Sequence, residues 1–217
     1  MTMSEDQVPT NDEPEPRWHA LVAVFAVAGL YTALPSYLTM GPRWLFIGLV
    51  MLLLIPTVIS HRSGHHRVNK FIGFAVVGVV TLGMIFSLIL LVKDLPEHRE
   101  TPRDLLISAG SLWITNILVF ALWYWKIDAG GPHGRDQKIR HSEGAFLFPQ
   151  MTMGNHLVKN WSPNFIDYLF LSFNTSTAFS PTDAPILARW AKLLMMLQSF
   201  ISLTVVALLA GRAVNIL

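Results

Sequence analysis

Five runs of uncharged, mainly apolar residues mark the chain: residues 20–42, 44–60, 71–92, 105–125 and 193–211. A helix crossing a bilayer needs about 20 such residues, so the pattern predicts five transmembrane helices. The first two are separated only by a turn at Gly41-Pro42-Arg43 and are expected to form a tight helical hairpin. The third is the cleanest, and its Gly73, Gly78 and Gly83 are placed to let a neighbouring helix approach closely. The fourth ends in Trp123-Tyr124-Trp125, an aromatic-belt signature, and offers Ser108, Ser111, Thr115 and Asn116 for hydrogen bonds between helices. A sixth run, residues 165–175, is apolar but too short to cross, a length typical of re-entrant or interfacial segments. It leads into the polar run Thr175-Ser176-Thr177-Ala178-Phe179-Ser180-Pro181-Thr182-Asp183. Irregular backbone at membrane depth is tolerated only against protein or water, so this turn is expected to be buried or to line a wet cavity.

Composition agrees with the pattern. The 217 residues are 52% hydrophobic and 14% charged, against about 25% charged in soluble domains. The expectation is an all-α polytopic integral membrane protein in contact with membrane lipid. The formal charge is only +2, and the basic residues sit in short loops, which gives nucleic-acid binding no support. With no cysteine, disulfides, thiol catalysis and cysteine-ligated metals are excluded. Residues 1–17 hold five acids and three prolines with little apolar content, which predicts a disordered acidic tail rather than a signal peptide.

The longest connection, residues 127–164, begins rich in glycine and charge and turns apolar at Phe146-Leu147-Phe148-Pro149. Phe146, Phe148 and Trp161 are expected to rest at the membrane interface. His61, His65 and His66 lie in a loop interrupted by Gly64 and lacking a carboxylate, which favours headgroup contact over metal binding. The loop histidines His133, His141 and His156 titrate near neutral pH and are the basis for pH regulation as an alternative. Neither a Gly-x-Ser-x-Gly nor a His-Glu-x-x-His pattern occurs, and Asp167 and Asp183 flank the short helix rather than pair, so no enzyme is expected.

The order of short helix, threonine-rich turn, aspartate and long helix resembles the pore module of the tetrameric potassium-channel superfamily. That family's signature reads Thr-Thr-Val-Gly-Tyr-Gly-Asp. The corresponding residues are Thr177-Ala178-Phe179-Ser180-Pro181-Thr182-Asp183, preceded by Ser172-Phe173-Asn174-Thr175, which resembles the family's Ser-Phe-x-Thr. Downstream, Ala188-Arg189, Leu197-Gln198-Ser199 and Ala210-Gly211-Arg212 resemble the inner helix of bacterial members. Ser180 and Thr182 replace the two filter glycines, Pro181 replaces the aromatic between them, and Ser202 stands at the gating-glycine position. A carbonyl-lined filter depends on backbone angles that glycine reaches freely and proline does not, so the filter is altered.

The apolar runs give three N-terminal membrane helices (residues 18–93), and the resemblance implies a pore-module-like region after them (residues 104–217). Within that region it implies an outer helix at 105–125, a turret loop at 127–164, a pore helix at 165–175, a filter-like turn at 175–183 and an inner helix at 186–212. It further implies a homotetrameric, cation-permeable pore of the bacterial plasma membrane, with a monovalent cation such as potassium or sodium as the permeant ion. Thr175, Ser176, Thr177, Ser180, Thr182 and the Phe179 carbonyl would line or support the path. Asp183 would brace the turn, or alternatively cap the helix that follows. Gln198, Ser202 and Thr204 supply a partial polar stripe on the inner helix. The alternative is a non-conducting structural or regulatory subunit that keeps the fold. Orientation divides two arguments: with five spans, a cytoplasmic N-terminus puts eleven basic residues inside against five outside, whereas the family's architecture requires the reverse.

Overall fold

A computed structural model of the chain describes residues 15–39, 41–62, 66–94, 101–136, 144–153, 161–177 and 184–214. These residues form an all-helical bundle: α1 (Trp18–Ala33), α2 (Arg43–Arg62), α3 (His66–Asp94), α4 (Pro102–Ile127), α5 (Pro132–Asp136), α6 (Pro149–Thr152), α7 (Phe165–Thr177) and α8 (Arg189–Val214). Three stretches are long and apolar enough to cross a membrane: Lys70–Lys93, Arg103–Asp136 and Arg189–Gly211. Over the described residues the first two apolar runs give the shorter apolar stretches Trp18–Ala33 and Arg43–Ile55, so three of the five expected spans are shown. Pro35 ends α1 early, because the residue before a proline is pushed out of the helical region; Leu34 is extended, at φ −71° and ψ 143°.

α4 is the central helix, with α1, α3, α7 and α8 all packed on it. Its start is fixed locally. Thr101 is the N-cap, its Oγ1 accepting from the Asp104 N–H at 3.2 Å, and Pro102 occupies the first helical position, where a missing N–H costs nothing. The expected α1–α2 hairpin is closed near its turn, where Arg43 Nη2 donates to the Leu34 carbonyl at 2.7 Å and Tyr31 stacks on Phe46 at 3.9 Å. Beyond the turn α1 packs mainly on α4 and α2 on α3.

The three glycines of α3 differ. A Cβ on Gly83 would meet the Phe46 ring at 2.6 Å, and one on Gly73 would meet the Lys126 side chain, whereas nothing lies within 4 Å of a Cβ on Gly78. Close approach is therefore real at Gly83 and absent at Gly78. Gly83→Ala is expected to lower stability by about 1–2 kcal/mol through overpacking against Phe46. Gly78→Ala should be neutral or stabilising by about 0.5–1 kcal/mol through helix propensity. Thermal unfolding of the two variants in detergent checks the contrast; equal shifts would refute it.

The described residues of the connection at 127–164 carry regular structure that its composition does not suggest. It contains a 3-10 turn (Asp128–Gly130), α5, α6 and an antiparallel bridge between Phe146 and Ile186. Phe146 and Phe148 are packed inside the protein rather than on its surface: they are 1% and 5% exposed. Phe146 meets Tyr124, Tyr168 and Trp190 edge-on, and Phe148 meets Tyr168 and Trp161. Backbone bonds from Leu147 N–H to the Pro185 carbonyl (3.0 Å) and from Leu187 N–H to the Ala145 carbonyl (2.8 Å) tie this segment to the approach to α8. The last residues of the expected disordered tail are held: Glu15 is tied to α4 and α5 and Arg17 to α5.

Candidate functional site

The short helix α7 runs from Phe165 to Thr177, 13 residues, two more than expected. At 1.5 Å per residue it is about 20 Å long, against a hydrocarbon core of about 30 Å. It packs between α4 and α8. Its amphipathic pattern explains how: Phe165, Tyr168, Leu171, Ser172, Thr175 and Ser176 are buried, while Ile166, Phe170 and Phe173 are exposed.

A polar network holds the C-terminal end of α7. Gln198, on α8 and fully buried, uses Nε2 to donate to the Ser172 carbonyl (2.7 Å), Ser172 Oγ (2.8 Å) and Ser176 Oγ (2.7 Å). Its Oε1 accepts from the Tyr124 hydroxyl at 2.5 Å. From α4, Asn116 Nδ2 donates to the Gln198 carbonyl (3.2 Å) and to Ser176 Oγ (3.5 Å), and Ser172 Oγ donates to the Ile117 carbonyl (2.6 Å). Asn116 thus makes the bonds between helices foreseen for it, while the Ser108 hydroxyl is buried without a partner.

The last carbonyls of a helix lack intrahelical donors; here hydroxyls supply them. Thr177 Oγ1 donates to the Asn174 carbonyl (3.0 Å), Ser199 Oγ to the Thr175 carbonyl (3.3 Å) and Ser202 Oγ to the Ser176 carbonyl (2.5 Å). Trp113 Nε1 in turn donates to Ser202 Oγ at 2.9 Å.

Of the residues singled out from the sequence, Thr175, Ser176 and Thr177 form the last turn of α7. Thr175 Oγ1 donates back to the Leu171 carbonyl (2.8 Å), so within the chain these hydroxyls support the helix end. Ala178, Phe179, Ser180, Pro181, Thr182 and Asp183 lie outside the described residues, as do the side chains of His61, His65 and His66. Gln198 and Ser202 are corrected: they do not form a stripe facing an open lumen, but point at α4 and α7 with 0% and 2% exposure. Thr204 Oγ1 donates to its own Phe200 carbonyl. The exposed face of α8 is apolar, carrying Leu193, Met196, Phe200 and Leu203.

The N-terminal end of α7 is held by a second cluster, on charged residues. Asp128, 1% exposed, accepts from the Tyr168 hydroxyl through Oδ2 (2.6 Å) and from the Ala145 N–H through Oδ1 (2.5 Å). Arg135 Nη1 donates to the carbonyls of Trp125 (2.8 Å) and Asp128 (3.0 Å), and its guanidinium lies 5.0 Å over the Tyr168 ring. The tight reversal after α4 makes this return of the chain feasible: Gly131 sits at φ +85°, and a Cβ there would come within 2.8 Å of the Lys126 carbonyl. The other side of Arg135 meets Glu15, whose carboxyl is pushed up by burial and pulled back down by the guanidinium.

Trp123-Tyr124-Trp125 is thus not a simple interfacial belt. Trp123 Nε1 donates to Thr81 (2.9 Å), Tyr124 to Gln198 and Trp125 to Glu15. Among the described residues no cluster of histidine, aspartate or glutamate could hold a metal ion. The chain matches no family model, no characterised protein and no solved structure.

Proposed function

We propose that the chain is one subunit of a homotetrameric, cation-permeable membrane pore with five spans, in which the filter-like stretch at 175–183 forms the narrow part. One observation carries this reading: a helix too short to cross a membrane, seated between two long helices, ends in Thr175-Ser176-Thr177, directly ahead of Ala178-Phe179-Ser180-Pro181-Thr182-Asp183 in the sequence. The C-terminal end of a helix carries partial negative charge, which favours a cation there. The exposed Ile166, Phe170 and Phe173, with the apolar face of α8, supply a surface for neighbouring copies, and a single short turn cannot surround an ion.

The topology suits the reading. The ion pair of Glu15 with Arg135, and Lys126 beside Phe74, bring the N-terminal segment, the start of α3 and the end of α4 to one end of the bundle. The start of α7 joins them there, since Tyr168 bonds to Asp128. With α1 and α2 crossing as well, the N-terminus and the entrance to α7 share one membrane face, which the family resemblance makes the outer one.

The second reading is the non-conducting subunit, and the hydroxyl caps favour it. Three of the α7 carbonyls a cation would need already accept from Thr177, Ser199 and Ser202. Flux of potassium and sodium into proteoliposomes decides between the two. A pore gives flux above empty liposomes, and Thr177→Ala, losing a hydroxyl bond worth about 1 kcal/mol, should change that flux about fivefold. No flux across several voltages and pH values selects the non-conducting subunit.

A further inference from the structure

The segment ahead of α1 is bound in a way an idle tail would not need. Both oxygens of the Glu15 carboxylate are engaged by donors from other elements. Arg135 Nη2 and Nε donate to Oε2 at 2.8 and 3.2 Å, and Trp125 Nε1 donates to Oε1. The side chains of Arg135 and Glu15 are 0% and 5% exposed. Planar guanidinium and indole donors converging on one carboxylate make a receptor for that group.

Receptor and ligand differ in how they are held. Arg135 is fixed independently of Glu15, by its bonds to the Trp125 and Asp128 carbonyls and by its seat on the Tyr168 ring. Glu15 rides on the few residues before α1. The strap is attached as well through the Glu15 N–H to Asp136 Oδ1 (3.1 Å) and the partly exposed Arg17–Asp136 pair (3.1 Å).

We propose that Glu15 is a tethered ligand of a carboxylate receptor formed by Arg135 and Trp125, and that withdrawal of the strap at residues 15–17 opens this receptor to a free small carboxylate. Because Arg135 also lies on Tyr168 of α7, the strap's position bears on how firmly the N-terminal end of α7 is held. The groups facing the Glu15 carboxylate are Arg135 and Asp136 of α5 and Trp125 of α4, with Arg17 on the strap itself. Burial pushes the Glu15 carboxyl up from its ordinary value, and the Arg135 guanidinium pulls it back toward the charged form.

The inference is independent of ion flux. Hydrogen exchange at residues 15–17 of the full chain is compared in sodium acetate and sodium chloride of equal ionic strength. The acetate is set at about 0.3 M, far above the millimolar effective concentration of a short tether. Acetate should speed exchange at 15–17 severalfold in the wild type while chloride does not. In Glu15→Gln, which weakens the ligand, exchange should start about tenfold faster, the loss of a charge-assisted bond. There acetate should raise the unfolding temperature, an effect that Arg135→Met removes. Equal behaviour in acetate and chloride in the wild type overturns the proposal, as does an acetate effect that survives Arg135→Met.

Discussion

Gln198→Leu is expected to lower the stability of the protein by about 2–4 kcal/mol, almost entirely through unsatisfied polar groups. Leucine fills nearly the volume of glutamine, so the cavity term is small. What is lost is a fully buried amide that donates to the Ser172 carbonyl, Ser172 Oγ and Ser176 Oγ and accepts from Tyr124. Ser172 keeps its bond to the Ile117 carbonyl and Ser176 its longer contact with Asn116. The Tyr124 hydroxyl keeps nothing, since it is fully buried and Gln198 is its acceptor. The double variant Tyr124→Phe/Gln198→Leu should therefore recover about 1–2 kcal/mol, the coupling expected of residues in direct contact. Bonds of this kind within membranes average only about 0.6 kcal/mol; a Gln198→Leu cost no larger than that would mean the network does not set the position of α7. The local readout is amide exchange in the C-terminal half of α7, accelerated on the order of a hundredfold for a loss near 2.7 kcal/mol.

The spans and the short helix were legible because uninterrupted apolar length is a local signal. Residues 71–92, 105–125 and 193–211 fall within α3, α4 and α8, and 165–175 within α7. Helix phase was not legible. α8 is apolar on most sides, so nothing in its pattern told whether Gln198 and Ser202 face a lumen or a neighbouring helix. Partners far apart in sequence were equally hidden. Arg135 reads as one more basic loop residue until the reversal at Gly131 carries it back to the end of α4, and its partner Glu15 lies 120 positions away. Trp123-Tyr124-Trp125 misled for a related reason: an amphipathic ring suits an interface, but equally a buried site where its polar tip finds a partner. Phe146 and Phe148 were read by composition alone, and only the bridge to Ile186 folds them under α7 and α8.

Asp128→Ala is expected to be the most damaging single change outside the Gln198 network, costing about 3–5 kcal/mol. The carboxylate is 1% exposed and holds two donors from separate segments, the Tyr168 hydroxyl of α7 and the Ala145 N–H. Hydrogen bonds to charged groups are worth about 1.5–3 kcal/mol each, and alanine leaves both donors buried without an acceptor. The backbone of the 3-10 turn survives, so Arg135 keeps its bonds to the Trp125 and Asp128 carbonyls. The damage should therefore concentrate at the start of α7 and at 144–148, opposite in position to that of Gln198→Leu. Asp128→Asn separates shape from acceptor number: it keeps the volume but turns an NH₂ toward one donor, and about half the loss should remain. Tyr168→Phe in the Asp128→Ala background removes one orphaned hydroxyl and should restore about 1 kcal/mol. Exchange measured along α7 distinguishes the two anchors: its first turn loosens in Asp128→Ala, its last in Gln198→Leu. If both variants loosen the whole helix equally, α7 is a single cooperative unit rather than one pinned separately at each end.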